Sequence, residues 1–152
     1  MTNINLNDKK QIIISKSTLE TFNIGKLLGE RCQGSEVFLL SGDLGAGKTS
    51  LLQGLAEGLG YNKRVNSPTF NILKLYQIKN KTKNVKIFCH IDAYRLSSGD
   101  DLFNLGVTEF FQAQDAVTAI EWAERVKTIW PQKYIKIEIK ALKDNERKIT
   151  IN

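Results

Sequence analysis

Short apolar runs alternate with amphipathic stretches along this chain, and the alternation predicts an α/β fold. Three runs of five or six residues, Gln11–Ser15, 36–41 and Ala116–Glu121, are mostly apolar. Runs of this length are typical of strands, and the last two have the continuous apolar character of strands buried in a parallel sheet. A Gly-rich segment follows the second run directly.

Two helices are predicted from apolar residues that recur at helical spacing. The segment 17–20 fits a capping box, which begins the first helix, and this helix extends to about Arg31. Its apolar positions are Leu19, Phe22, Leu27 and Leu28. The second helix follows Lys48, and Gly60 supplies its C-terminal cap. Its apolar face consists of Leu51, Leu52, Leu55, Ala56 and Leu59.

The remaining segments predict hairpins at the margins of the sheet. The β-rich segments 70–79 and 85–92 flank a five-residue polar run, 80–84, which indicates a hairpin with a five-residue loop. The segment 134–140 alternates strictly and pairs with 148–152 across a charged turn. Helical signals in 100–111 are interrupted by Gly106. We therefore predict a mixed, mainly parallel central sheet with hairpins at its margins.

Composition limits the possible domain number, partners and location of the protein but indicates little about its chemistry. The 152 residues carry a formal net charge of +6, and this length favours one domain, 1–152. The charge permits a polyanionic partner such as RNA without requiring one. Cys32 and Cys89 are predicted to be buried free thiols. Because no apolar run is long enough to span a membrane and no secretory signal is recognisable, we predict a cytoplasmic protein.

One segment carries clear chemistry. Gly42-Asp43-Leu44-Gly45-Ala46-Gly47-Lys48-Thr49 matches the phosphate-binding pattern G-x-x-x-x-G-K-[ST] at every required position. It lies between a predicted strand and a predicted helix, whose amides and dipole favour an anion. Lys48 is expected to reach the β- and γ-phosphates, Thr49 to ligate Mg²⁺, and Ser50 to contact the α-phosphate. The pattern predicts a nucleoside triphosphate site.

Two acidic residues are placed to complete such a site. Asp92 and Glu121 each end an apolar run that is predicted to be a parallel strand. Ligands of parallel α/β sheets gather at the carboxyl ends of the strands, so both carboxylates are expected near the phosphates. His90, the only histidine, lies two residues before Asp92, and a structural role is as consistent with its position as a catalytic one.

Several motifs in order resemble the TsaE (YjeE) family of bacterial P-loop ATPases. Besides the P-loop they are 67–70 (SPTF), 90–95 (HIDAYR), 105–111 with its Leu-Gly and Glu-Phe-Phe elements, and 121–125 (EWAER). The resemblance extends over nearly the whole chain. It implies a P-loop NTPase-like three-layer domain that binds ATP and Mg²⁺ and serves threonylcarbamoyl modification of adenosine 37 in tRNAs that read codons starting with A.

The resemblance also implies roles for individual residues. Thr49 and Glu121 correspond to Mg²⁺ ligands, and Asp92 corresponds to the residue that orients the attacking water. Trp122 is similar to the family tryptophan beside the nucleotide. Thr69 is similar to a switch threonine, and Thr18 is implied as a contact for the base. The partners implied are TsaD-like and TsaB-like subunits, with slow hydrolysis by the chain alone and tRNA contacted indirectly.

Two other functions remain open from the residues alone. A small-molecule kinase uses the same P-loop, although the segment after the P-loop helix is mostly hairpin and leaves little room for a lid. A nucleotide-switched RNA-binding module accords with the +6 charge, although no RNA-recognition motif is visible. A Ras-like GTPase is disfavoured because the sequence has no N-K-x-D motif.

Overall fold

The computed structural model of the protein describes residues 3–7 and 9–152; residues 1, 2 and 8 of the predicted domain lie outside the described residues. The strands are β1 (Gln11–Ser15), β2 (Val37–Ser41), β3 (Leu73–Gln77), β4 (Ile87–Asp92), β5 (Ala116–Glu121), β6 (Ile135–Ala141) and β7 (Arg147–Ile151). The helices are α1 (Thr18–Arg31), α2 (Lys48–Leu59), α3 (Asp100–Asn104), α4 (Thr108–Gln112) and a 3₁₀ segment (Ala123–Ile129).

All seven strands form one mixed sheet in the order β1-β7-β6-β2-β5-β4-β3. The central strands β6, β2, β5 and β4 pair in parallel. At the margins, β3 pairs antiparallel with β4, β7 with β6, and β1 with β7. Every residue of β5 is buried, in keeping with its mostly apolar sequence. The predicted fold class, parallel at the centre with hairpins at the margins, is confirmed.

Helices cover both faces of the sheet and make three layers. Side chains alternate along β2, so that Phe38 and Leu40 join the core under α1 and α2, while Val37 and Leu39 join the core on the opposite face. The second core is closed by α3, α4 and the 3₁₀ segment through residues such as Val126. The P-loop helix α2 therefore lies on the same face as α1.

Helices α1 and α2 pack backbone against backbone. A Cβ atom added at Gly25 would lie 1.9 Å from the Leu51 carbonyl oxygen, and one added at Gly54 would lie 1.9 Å from the Phe22 carbonyl oxygen. Gly29 and Gly58 make the equivalent approach one turn later. Side chains at these positions would force the helices apart, so these glycines determine where α2 and the P-loop sit.

The predicted apolar face of α1 was wrong in one respect. Leu19 is 67% exposed, whereas the buried positions of this helix are Thr21, Ile24, Gly25, Leu28 and Gly29. The face that contacts α2 consists partly of glycine, which an apolar pattern does not detect. The predicted capping box is present, since Ser17 Oγ accepts from the Glu20 N–H at 3.1 Å. The five predicted apolar residues of α2 are all fully buried.

The first predicted hairpin pairs as expected, but its connection is longer than five residues. β3 begins only at Leu73, because the Asn71 and Ile72 amides both donate to the Pro68 carbonyl and turn the chain. Strand β4 begins at Ile87, so nine residues, 78–86, join the strands. Within the described residues, no helix combines the length and the apolar character needed to cross a bilayer.

Candidate nucleotide site

The P-loop connects β2 to α2 and leaves the start of that helix open. Gly47 is the N-cap residue, with φ of +114°, a conformation that side chains rarely adopt. No side chain of the described residues caps the helix, and its first turn holds no acidic residue. The first amides of α2 therefore have no partner within the helix, which makes this end a site for an anion.

Lys48 lies folded against the loop that precedes it. Its ammonium group donates to the Gly42 carbonyl at 2.5 Å and to the Asp43 carbonyl at 2.9 Å. The same nitrogen lies 4.3 Å from the centre of the Trp122 ring. Burial lowers the pKa of Lys48, because the charged form loses hydration, and Glu121 opposes the shift. Lys48 is thus held in the site by two backbone carbonyl oxygens, in place of which it can bind phosphate oxygens.

The two strand-end carboxylates meet beside Lys48. Parallel strands β4 and β5 place Asp92 opposite Glu121, and both residues are buried. Ser67 Oγ lies 2.7 Å from Asp92 Oδ2 and 3.0 Å from Glu121 Oε2, so one hydroxyl hydrogen serves two carboxylates. Thr69 Oγ1 donates to Asp92 Oδ2 at 3.1 Å. Two hydroxyls from one loop therefore hold the acidic pair.

His90 supports Glu121 from inside the sheet. Its Nε2 lies 2.9 Å from Glu121 Oε2, and the residue is fully buried. Nδ1 has no hydrogen-bond partner among the described residues. A buried N–H without an acceptor is costly, so the arrangement favours a hydrogen on Nε2 that is donated to the carboxylate. The ring stacks on Phe88 at 5.9 Å between centroids.

The loop that carries Ser67 and Thr69 is tied to neighbouring elements. The Tyr76 hydroxyl on β3 donates to the Asn66 carbonyl at 3.2 Å. The Gln53 amide on α2 donates to the Val65 carbonyl at 2.9 Å. Because both bonds are to the two residues directly before Ser67, the position of the loop depends on both the P-loop helix and the marginal hairpin.

The P-loop and the acidic pair face one cleft of about 340 Å³. The sequence-predicted residues that line it are Leu44, Gly45, Gly47, Lys48, Thr49, Ser50, Thr69, Asp92, Glu121 and Trp122. Four others lie next to it: Gly42 and Asp43 hold Lys48, Ala46 is buried under the loop, and Thr18 touches the cleft residue Arg147. Trp122 has φ of +57°, so the chain turns sharply after Glu121.

Sequence reasoning left three residues of this region without a role. The sequence places Ser67 only within the 67–70 motif, and it is consistent with either a structural or a catalytic role for His90. Arg147 was missed, although it lies in phase with Ile149 and Ile151 on β7 and is the charged member of an otherwise apolar strand face. That break in the alternation is the signal that identifies it.

The oxygen donors of the cleft fit a magnesium ion. Mg²⁺ prefers hard oxygen ligands and is usually held by one or two carboxylates together with substrate phosphates. Thr49, Asp92 and Glu121 supply a hydroxyl and two carboxylates at the cleft. Within the described residues there is no group of three or more His, Cys, Asp or Glu side chains arranged to hold a metal by themselves.

The cysteines lie away from this chemistry. Cys32 and Cys89 are both buried free thiols, as predicted. Burial raises the pKa of each thiol, that of Cys89 to about 12, because the thiolate loses hydration. Neither thiol lines the cleft among the described residues.

Comparison with known proteins decides the family. The model of the family described as threonylcarbamoyl adenosine biosynthesis protein TsaE matches residues 15–149. The chain belongs to the TsaE family. A tRNA threonylcarbamoyladenosine biosynthesis protein TsaE of Bacillus subtilis is 42% identical over 131 residues, which are 86% of this chain and 78% of the relative. The TsaE protein of Treponema pallidum is 36% identical over 91% of this chain and 97% of its own length.

A solved structure agrees with this TsaE-family assignment. The crystal structure of YdiB from Bacillus subtilis superposes with a TM-score of 0.76 at 35% sequence identity. The match covers 94% of this chain and 84% of that one. The family and the P-loop NTPase-like fold expected from the motifs are both confirmed.

Proposed function

We propose that this TsaE-family chain is a Mg²⁺-dependent ATPase of tRNA threonylcarbamoyladenosine biosynthesis. The observation that carries the proposal is that Lys48 and the P-loop face Asp92 and Glu121 across one cleft. Hydrolysis of a phosphoanhydride needs positioning and charge neutralisation more than covalent chemistry. A cleft with an uncapped helix start, an ammonium group and two carboxylates supplies both.

Each residue has a distinct part in this proposal. The P-loop amides and Lys48 bind the phosphates, and Lys48 neutralises the charge that develops on them. Thr49 and Glu121 hold Mg²⁺, while Asp92 orients the attacking water. When bound, the ion would neutralise part of the phosphate charge. Ser67 and Thr69 hold the carboxylates, Thr69 is the proposed switch residue, and Trp122 lies beside the nucleotide.

The proposed partners are TsaD-like and TsaB-like subunits in the cytoplasm, and tRNA is reached through them. The curated relatives are named for tRNA threonylcarbamoyladenosine biosynthesis. The two cations among the described lining residues of the cleft, Lys48 and Arg147, both contact the P-loop segment. We propose that the ATP cycle resets the modifying complex between turnovers and that a partner accelerates it, since arginines supplied in trans contribute about 10³–10⁵ in rate elsewhere.

A matched pair of variants tests the enzymatic part. Glu121 ends β5, and Asp115, which is exposed, precedes the same strand at its opposite end. Glu121→Gln is expected to lower Mg²⁺-dependent phosphate release about 10²–10³-fold while ATP affinity stays within about 3-fold. Asp115→Asn is expected to leave both unchanged. Unaltered hydrolysis in Glu121→Gln would exclude this residue from the reaction.

A second experiment tests the activity itself. ATP is titrated while tryptophan fluorescence, to which Trp122 in the cleft contributes, is followed. Phosphate release is measured with and without TsaD-like and TsaB-like subunits. We expect saturable binding, slow hydrolysis alone and faster hydrolysis with the subunits. Transfer of the γ-phosphate to a metabolite would instead support a kinase, and nucleotide-dependent tRNA binding without turnover would support an RNA-binding module.

A further inference from the structure

Arg147 lies on the P-loop side of the sheet. It is the first residue of β7, and side chains alternate along that strand. Ile149 and Ile151 belong to the core under α1 and α2, so Arg147 projects to the same face, and Lys148 projects to the opposite one. The strand thus directs one cation, and not its neighbour, towards the nucleotide cleft.

The side chain of Arg147 rests on the P-loop backbone. A Cβ atom added at Gly47 would lie 3.0 Å from Arg147 Nε and 3.1 Å from its Cδ. The residue lines the cleft together with Gly45, Thr49 and Ser50. The absence of a side chain at Gly47 is therefore what lets the guanidinium approach the loop so closely.

The guanidinium is oriented but not neutralised. Nη1 donates to the Asn145 carbonyl at 2.8 Å, and Nη2 donates to Thr18 Oγ1 at 3.3 Å. A guanidinium has five N–H donors, so donors remain for a ligand. Among residues 3–7 and 9–152, no carboxylate lies within ion-pair distance of Arg147. Arg147 is therefore a half-buried cation beside an anion-binding loop, and a phosphate group can pair with its charge.

The neighbours of Arg147 identify which end of the nucleotide it faces. Lys48 occupies the end where Asp92 and Glu121 lie, which is the end of the β- and γ-phosphates. Arg147 instead contacts Thr18 at the start of α1 and lines the cleft beside Ser50. We propose that Arg147 is a nucleotide-binding residue that holds the α-phosphate end, the part that ATP and ADP share. The inference rests on the proposed function.

Equilibrium binding of ATP and ADP tests this assignment on the full chain. Calorimetric titrations are made with the wild type, Arg147→Ala, Arg147→Lys and the control Lys148→Ala, and the thermal midpoint of each is recorded. Loss of a charge-assisted contact is expected to weaken ATP and ADP by the same factor, about 10–100-fold, in Arg147→Ala. Arg147→Lys is expected to bind with intermediate affinity, because it keeps the charge without the planar fork.

The control and the hydrolysis rate complete the test. Lys148→Ala is expected to bind both nucleotides within about 2-fold of the wild type and to hydrolyse saturating ATP within about 2-fold of the wild-type kcat. Unchanged affinities in both Arg147 variants, a loss confined to ATP, or an equal loss in Lys148→Ala would overturn the inference alone. A wild-type chain that binds neither nucleotide would overturn the proposed function and this inference with it.

Discussion

The two walls of the cleft are built in opposite ways. The P-loop wall is one continuous segment, 42–49, set between a buried strand and the helix it begins. The acidic wall is assembled from Ser67, His90, Asp92 and Glu121, and the bond between Ser67 and Glu121 joins residues 54 positions apart. The first wall consists of residues that are adjacent in the sequence, whereas the second forms only after β4 and β5 have paired.

Because the two walls are built differently, substitutions in them are expected to have different effects. The position of the P-loop wall depends on how α2 packs, because four glycines bring that helix against α1. The acidic wall depends on hydrogen bonds, because two buried carboxylates share a hydroxyl and one of them takes a second bond from His90. Substitutions in the first wall are therefore expected to affect folding and binding, and substitutions in the second to affect the reaction.

The largest expected effect on stability comes from disrupting the packing of α2, the helix that follows the P-loop, against α1. Gly25→Ala places a methyl group where it meets the Leu51 carbonyl, so the helices must separate. We expect the free energy of unfolding to fall by about 3 kcal/mol, which lowers the thermal midpoint by about 6–12 °C. Thermal denaturation measures this, with Asn23→Ala on the exposed face of α1 as the control. Equal midpoints for the two variants would contradict the backbone packing.

The next largest expected effect is on ATP affinity, when the positive charge of Lys48 is removed from the P-loop wall while the fold stays intact. Lys48→Ala is expected to weaken ATP about 100-fold, corresponding to about 2.7 kcal/mol, because the phosphates lose their buried cation. Titration of ATP measures the change, and the thermal midpoint shows whether the fold is intact. Lys140→Ala, on an exposed side chain of β6, serves as the control. Wild-type affinity in Lys48→Ala would contradict the placement of phosphates at this wall.

A smaller expected effect, on the hydrolysis rate, distinguishes the orientation of Glu121 by His90 from the binding of ATP. His90→Asn removes the donor to Glu121, whereas His90→Gln carries an amide nitrogen at nearly the position of Nε2. We expect about 10-fold slower hydrolysis and a higher Mg²⁺ requirement in His90→Asn, with recovery in His90→Gln. ATP affinity measured without Mg²⁺ is expected to be the same in both variants. Equal hydrolysis rates in the two variants would show that the imidazole does not orient Glu121.

The smallest effect concerns the hydroxyl between the carboxylates. Ser67→Ala leaves Asp92 and Glu121 without their shared donor, so we expect a loss of about 1 kcal/mol and a midpoint lower by about 2–4 °C. The midpoint is compared with that of Ser97→Ala, an exposed serine on another loop. A Ser67→Ala midpoint equal to that of the control would indicate that the hydroxyl does not stabilise the acidic wall.

Much of the fold was predictable because it depends on local pattern. Ala116–Glu121 is mostly apolar and is a central strand, and the leucines of α2 recur at helical spacing and are fully buried. The contact face of α1 was not predictable from apolar spacing, since Gly25 and Gly29 contribute backbone proximity instead of apolar area. The turn at Asn71 and Ile72 also escaped detection, because its amides bond to the Pro68 carbonyl within an apparently β-rich segment.

The sequence by itself determined the phosphate-binding loop, because its glycines, lysine and threonine are adjacent and their geometry is local. It also placed Asp92 and Glu121 at strand ends, where parallel pairing brings them to one edge. Only the tertiary structure decided that Ser67 lies between them, that His90 donates to Glu121, and that Arg147 covers Gly47. These contacts join residues distant along the chain, and their geometry depends on register and helix packing that no local pattern encodes.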